Sequence, residues 1–177
     1  MNQMFTIIGA LVLLGIASLG INAMLASKTT TMLQAEASLN AISIAQTMID
    51  EIMTKSYDAA TANGTKVYNP SAFTVAASLG PNGVEASNVP QPDVSNPFKS
   101  VQYYNDVDDY NNYQRKVSTP ILGTFNVVDT VFYVSETDPN LLSATQTFYK
   151  KIVITVRHSN MSYPLQISDV AVYRKYF

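Results

Sequence analysis

The amino-terminal part of the chain is predominantly apolar, and no charged side chain occurs before Lys28. The apolar run from residue 5 to residue 26 is about 20 residues long, enough to cross a bilayer as a helix. A secretory signal peptide has a basic segment before a shorter apolar core, whereas this run follows no Lys or Arg. The pattern favours a membrane or assembly helix over a cleaved signal, and a plain single-span anchor is the simplest alternative.

A helical period continues beyond this apolar run. Neither glycine nor proline occurs between Gly20 and Gly64, and apolar residues recur at spacings of three and four from Met32 to Ile52. The spacing predicts one α-helix from about residue 3 to about residue 57, roughly 80 Å long at about 1.5 Å per residue. Its second half has one apolar face suited to a β-sheet. The side chains expected to pack there are Leu39, Ile42, Ile49 and Ile52.

The carboxyl-terminal part has the two-residue alternation and the β-branched content of strands. The runs cover residues 123–135, 146–158 and 165–176, with a turn at residues 159–162 between the last two. Those two should form an antiparallel hairpin beside the first run. The expected fold class is α+β and ladle-shaped, with one N-terminal helix of about 55 residues and an antiparallel sheet packed on its C-terminal half.

This pattern divides the chain into three parts. Residues 1–28 form a hydrophobic membrane or filament-core helix, residues 29–58 its amphipathic half, and residues 59–177 a β-rich head domain. Within the head, residues 69–97 contain five prolines. We expect a long surface excursion there without regular helix and with one or two short strands near residues 72–76.

Composition excludes several classes of function. Only 14% of residues are charged, and a net charge of −2 leaves no basic patch for nucleic acid. The chain has no cysteine, so disulfides, thiol chemistry and cysteine metal sites are excluded. The single histidine, His158, lies beside a predicted turn without a nucleophile motif. We therefore expect a protein that is not an enzyme.

An acidic, tyrosine-rich stretch at residues 103–113 is the one candidate for a bound ligand. Its three carboxylates, at Asp106, Asp108 and Asp109, are hard oxygen donors of the kind that Ca²⁺ binds. The spacing is not that of an EF-hand, because the glycine and the terminal glutamate of that loop are missing. The alternative is an Asx-rich turn with exposed acids and with tyrosines packed on the sheet. Calcium is the only cofactor that the sequence suggests.

The apolar start, the unbroken passage into an amphipathic half and the β-rich remainder together resemble the type IV pilin superfamily. Residues 43–58 (SIAQTMIDEIMTKSYD) are similar to the end of that helix in minor pilins and type II secretion pseudopilins. Residues 4–9 (MFTIIG) resemble the mature pilin start. Pilins usually carry a glutamate at position 5, and this chain has Phe5 there.

The resemblance implies a structural subunit of a type IV pilus-like filament at the cell surface, inserted in the membrane before assembly. Its partners would be copies of itself and the inner-membrane pilus or secretion machinery. The alternatives are a minor pseudopilin at the tip of a secretion or pilus complex and an anchored extracytoplasmic binding module. The expected assembly core comprises Phe5, Ile8, Leu11, Leu14, Gly15, Leu19, Gly20 and Met24.

Overall fold

The computed structural model describes residues 2–174, and its longest element is one unbroken helix, α1, spanning Asn2–Met53. The predicted continuity of the apolar and amphipathic halves is confirmed. The helix ends slightly before residue 57, because the amides of Thr54 and Lys55 bond to carbonyls three residues back in a tighter final turn. Their acceptors are the carbonyl oxygens of Glu51 and Ile52, at 3.3 and 3.0 Å.

The head, meaning residues 54–174, contains a four-stranded antiparallel sheet. Its strands are β1 (Gln114–Thr119), β2 (Gly123–Tyr133), β3 (Tyr149–Arg157) and β4 (Leu165–Val172), and their order in the sheet is the order in the chain. The three predicted runs correspond to β2, β3 and β4, and the hairpin of β3 and β4 is confirmed. Residues 175 and 176 of the last predicted run lie outside the described residues.

Strand β1 was not predicted, because its sequence, QRKVST, is largely polar. It forms a hairpin with β2 through a three-residue loop, and the residue after the loop, Gly123, has a φ of 82°. That left-handed conformation suits glycine, which has no β-carbon to clash with the backbone. The remaining β1 edge is partly covered by Asp93, whose amide donates to the Gln114 carbonyl and whose carbonyl accepts from Lys116.

Helix α1 packs against β3 and β4, so one face of the sheet is buried and the core lies between sheet and helix. Alternate residues of β2 and β3 point into this core, as the two-residue period requires. The fully buried apolar side chains of the two strands are Phe125, Val127, Val131, Tyr133, Ile152, Ile154 and Val156. The predicted α+β ladle, with a sheet on the outer half of a long helix, is thereby confirmed.

The segment between helix and sheet contains short helical turns rather than strands. The strands predicted near residues 72–76 are wrong, because 3₁₀ turns occupy Pro70–Ala72 and Ala76–Ser78. The expectation that this segment lacks regular helix is also wrong. Helix α2 spans Gly83–Asn88 between two prolines and has a capping box at its start. A second short helix, α3, spans Lys99–Tyr103, and further 3₁₀ turns span Ala59–Thr61 and Asp108–Tyr110.

Three consecutive threonines lie in α1 just before the helix reaches the head. The side-chain hydroxyls of Thr29, Thr30 and Thr31 donate to the carbonyl oxygens of the fourth residue back, each at 3.0 Å. Hydroxyls in this arrangement are satisfied within the helix itself and often accompany a bend.

Candidate assembly helix and its attachment to the head

The exposed arm of α1, residues 3–35, contains all the residues predicted for an assembly core. Every side chain in the arm is exposed, and Phe5, Leu14 and Leu19 keep 70%, 68% and 72% of their area accessible. Such a contiguous apolar surface is unfavourable in water and marks a site for lipid or protein. By length and composition α1 is able to cross a membrane. The predicted set on the arm is Phe5, Ile8, Leu11, Leu14, Gly15, Leu19, Gly20 and Met24.

The glycines of the arm have no role in the fold of the single chain. A β-carbon added at Gly9, Gly15 or Gly20 would meet nothing within 4 Å. Glycines in apolar helices leave room for a second helix to approach closely. Gly15 and Gly20 therefore suit a contact outside this chain, and a larger side chain there would leave the isolated subunit intact.

The face that the packed half of α1 buries against the sheet only partly matches the prediction. Ile49 and Ile52 are buried at 8% and 0% exposure, and Ile42 is half-buried. The prediction for Leu39 is wrong, since its side chain is 69% exposed. The buried stripe instead follows a four-residue spacing that leaves Leu39 on another side of the helix. It comprises Ala37, Ala41, Ala45, Met48, Ile49 and Ile52.

A buried ion pair attaches the end of α1 to strand β1. The Arg115 guanidinium donates through Nη2 to both carboxylate oxygens of Glu51, at 2.7 and 2.8 Å, and the two side chains are only 5% and 12% exposed. Oε1 of Glu51 also accepts from the hydroxyls of Ser100 and Tyr110, at 2.8 and 2.9 Å. The Phe98 ring lies 4.2 Å from the guanidinium carbon. These contacts satisfy both charges, so loss of either partner would leave an uncompensated buried charge.

A second buried cluster surrounds Lys150 of β3, whose side chain has no solvent exposure. Its ammonium donates to Asp58 Oδ2 at 2.9 Å, to Asp108 Oδ1 at 2.5 Å and to the Tyr57 carbonyl at 2.8 Å. The rings of Tyr57 and Tyr133 lie 4.6 and 5.3 Å from Nζ. Through the fully buried Lys150 ammonium, the cluster joins the segment after α1, the acidic stretch and the sheet.

The acidic stretch is inside the head, so the alternative of a turn with exposed acids is wrong. Asp106, Asp108 and Asp109 are 1%, 3% and 1% exposed. Asp106 accepts from the Asp108 amide at 2.9 Å, and Asp109 accepts from the Asn105 amide at 2.9 Å, so backbone groups occupy these oxygens. Among residues 2–174, no three acidic, histidine or cysteine side chains are grouped to hold a metal ion. The cation beside Asp108 is the Lys150 ammonium. Calcium binding by Asp106, Asp108 and Asp109 stays a prediction.

Burial also changes the protonation of two acids. Burial, together with the neighbouring Asp108 carboxylate, raises the pKa of Asp106 to about 9, so this carboxyl is neutral at pH 7. Asp129 of β2 has no solvent exposure, and neither carboxylate oxygen has a hydrogen-bond partner. Burial raises the pKa of Asp129 well above its ordinary value. Asp129 therefore faces the core without a hydrogen-bond partner, at a cost in stability.

The His158 side chain stabilises the fold through contacts with the backbone and with Phe125. Its Nε2 lies 2.8 Å from the Leu122 carbonyl oxygen, and its Nδ1 accepts from the Asn160 amide at 3.1 Å. The ring stacks on Phe125 with 4.2 Å between ring centroids. Both ring nitrogens are thus used by the backbone, and the side chain fixes the turns at the ends of β2 and β3.

Sequence reasoning missed the two buried charge clusters, although one signal for them existed. The alternation of β3 puts Lys150 on the same face as Ile152 and Ile154, and a lysine on an apolar face needs a buried partner. No comparable signal marked Glu51 or Arg115, because the partners are 64 residues apart in the chain.

Comparisons with protein-family models, curated proteins and solved structures give no match for this chain. What the protein does must therefore be inferred from its own residues and geometry.

Proposed function

We propose that the chain is a structural subunit of a type IV pilus-like extracellular filament, assembled through the exposed arm of α1. The observation that carries this proposal is the continuity of α1. One helix is exposed over residues 3–35, is predominantly apolar from residue 5 to residue 26, and is then held under a sheet up to Met53. A membrane anchor requires the apolar span alone, whereas a filament also requires that span to be rigidly joined to the head.

The dimensions of the arm suit a filament core. Its 33 residues, from 3 to 35, extend roughly 50 Å beyond the packed half at about 1.5 Å per residue. Removing an exposed Leu, Ile or Phe from water contributes about 1.5–3 kcal/mol. In the bilayer, lipid covers these side chains, and outside it only other copies of the same arm offer a matching surface. A contact between arms that repeats without closing produces a filament rather than a ring.

The head supports the same proposal through its rigid attachment. The Glu51–Arg115 pair and the Lys150 cluster hold the end of α1 to the sheet, so a displacement of the arm is passed to the head. In a filament the arms would form the core and the heads the outer surface. Partners would be further copies, the membrane before assembly and the machinery that extracts the subunit from it. Nucleic acid is not among the partners proposed.

Electron microscopy of sheared cell-surface material tests this function, with mass spectrometry to identify the filament protein. We expect thin filaments composed of this chain. Leu13→Arg and Gly15→Leu should abolish them, because an arginine or a bulky side chain would then enter the packed core. Neither change should unfold the subunit, since Leu13 is 69% exposed and Gly15 has open space around it.

The matched control is Ile121→Arg, which adds the same charge at a 78% exposed position in the head. Filaments should persist in this variant if the arm forms the core. Filaments that survive both arm substitutions would contradict the proposal. Retention of the wild-type protein in the membrane in few copies, without filaments, would favour the minor pseudopilin or the anchored module instead.

A further inference from the structure

The buried side chains around Lys150 have the composition of a reactive site. A primary amine, a carboxylate acceptor and two further acids lie together, all at most 3% exposed. We propose that Lys150 and Asp108 condense to an intramolecular amide bond, with Asp106 relaying the protons between them. The bond forms within one chain, whether or not the chain assembles.

Geometry selects the reacting pair. Lys150 Nζ lies 2.5 Å from Asp108 Oδ1, and a carboxyl carbon is about 1.2 Å from its oxygen, so Nζ and Cγ are within about 3.7 Å of each other. This separation approaches that of a near-attack arrangement. Asp58 is more distant, at 2.9 Å from Nζ to Oδ2, and backbone amides of Ala60 and Thr74 already hold its two oxygens. The backbone thus holds Asp58 beside the amine, and Asp108 is the group that acylates the amine.

The bonds and protons balance without another reactant. Asp106 gives its proton to the Asp108 carboxylate and takes one from the Lys150 ammonium, and the freed amine attacks Cγ of the now neutral Asp108 carboxyl, forming a C–N bond. The C–O bond to the protonated oxygen breaks, and a second proton from the nitrogen completes a water molecule. Asp106 ends protonated and Asp58 ends ionised, as both began. An ammonium and a carboxylate have become one amide and one water.

The protonation of the flanking acids fits these roles. Burial raises the pKa of Asp58, but attraction to Lys150 and hydrogen bonds from Ala60 and Thr74 lower it by more, so Asp58 stays ionised and orients the amine without taking its proton. Asp106 is neutral at pH 7 and has a proton to give, and its pKa of about 9 makes its ionised form the stronger base toward the Lys150 ammonium. Its Oδ1 accepts from the Asp108 amide at 2.9 Å, which holds the acid beside the reacting residue.

The surroundings favour condensation over hydrolysis. The rings of Tyr57 and Tyr133 flank the amine, and the site is dry. Groups held in reactive geometry behave as if present at effective concentrations of about 10⁵ M or more, which offsets the unfavourable free energy of amide formation in water. Condensation also removes two buried charges, and the Asp58 carboxylate that remains keeps hydrogen bonds from the amides of Ala60 and Thr74.

Intact-mass spectrometry of the full wild-type chain, purified in detergent and then denatured, tests the proposal. We expect a mass lower than the sequence mass by one water, and a branched peptide that joins Lys150 to Asp108 after proteolysis. Lys150→Arg should restore the full sequence mass, because a guanidinium is not acylated here. Asp108→Asn should lose ammonia instead of water, and Asp106→Asn, which has no acid proton to relay, should retain its full mass.

Matched controls are Lys151→Arg and Asp138→Asn, which alter the neighbouring lysine and an exposed acid, and both should still lose one water. Near-ultraviolet circular dichroism before denaturation shows that each sample is folded. A folded wild-type chain with its full sequence mass would overturn the proposal and leave Lys150 as an ion pair only. A branched peptide at Asp58 would overturn the assignment of Asp108.

Discussion

The two parts of α1 share one helix but differ in what surrounds them. Residues 3–35 are exposed throughout, with large aliphatic side chains on all sides. From Glu36 to Met53, small alanines face the sheet, and the large side chains are divided between the core and solvent. The fold of the single chain therefore depends on the second part, while the first part is free to serve contacts between molecules. Substitutions should separate these two roles cleanly.

The largest effect should come from removing the charge that attaches the packed part to β1. Arg115→Ala leaves the Glu51 carboxylate buried without its partner, and we expect the free energy of unfolding to fall by about 3–5 kcal/mol. Denaturant unfolding of the detergent-solubilised chain measures the change. The control is Lys116→Ala on the exposed side of the same strand, with an expected change below about 0.5 kcal/mol. Equal effects of the two substitutions would show that the ion pair does not hold the helix.

Truncating one large aliphatic residue on each side of the packed part sharpens the contrast. Ile52→Ala leaves a cavity in the core and should cost about 2–5 kcal/mol. Leu39→Ala should change the stability of the isolated subunit by less than about 0.5 kcal/mol, because Leu39 is 69% exposed. Thermal unfolding of both variants under one detergent condition gives the comparison. A large loss for Leu39→Ala would place that side chain in an intramolecular contact.

Enlarging an alanine should distinguish the arm from the packed part as well. Ala41 is fully buried against the head, so Ala41→Leu should force the helix away from the sheet and cost about 1–3 kcal/mol. Ala35→Leu is the matched change at the exposed end of the arm and should be neutral in the subunit. Melting temperatures of the pair measure the difference. Equal tolerance at both positions would mean that close helix–sheet approach is not required.

The smallest effect concerns the unpartnered acid in the sheet. Because the pKa of Asp129 is raised on folding, its folded form keeps a proton that the unfolded form loses above about pH 4. Stability is therefore lost as pH rises from about 4 towards the folded pKa. Asp129→Asn cannot ionise and avoids this loss, so its stability relative to wild type should increase by at least about 1 kcal/mol between pH 4 and pH 7. Unfolding curves at the two pH values test this, and a pH-independent difference would contradict the assignment.

The periodicity of the sequence was sufficient for the long elements. The three- and four-residue spacing gave the helix through Ile52, and alternation gave β2, β3 and β4. It misplaced Leu39, because apolar positions occur on more than one side of α1 and the sheet selects the side with alanines. It also missed β1, in which Arg115 occupies an inward position that pattern rules assign to apolar residues.

The interior of the head was harder to predict, because it depends on contacts between distant residues. Asp58, Asp108 and Lys150 are separated by 42 residues or more, and nothing local shows that they meet. The acids of residues 106–109 suggest an exposed loop when considered alone. Burial becomes acceptable only because backbone amides and one lysine compensate them.

The three threonines just before the head mark the position at which α1 would bend most easily. Their hydroxyls donate to helix carbonyl oxygens at 3.0 Å, near the end of the exposed arm and before the packed part begins. A kink of about 20° there would swing the amino end sideways by roughly 10 Å or more, given about 1.5 Å of length per residue. The head would keep every one of its internal contacts during such a swing. The contacts that join the packed part to the sheet lie beyond the threonines, so a bend there would change the angle of the arm without loosening its attachment.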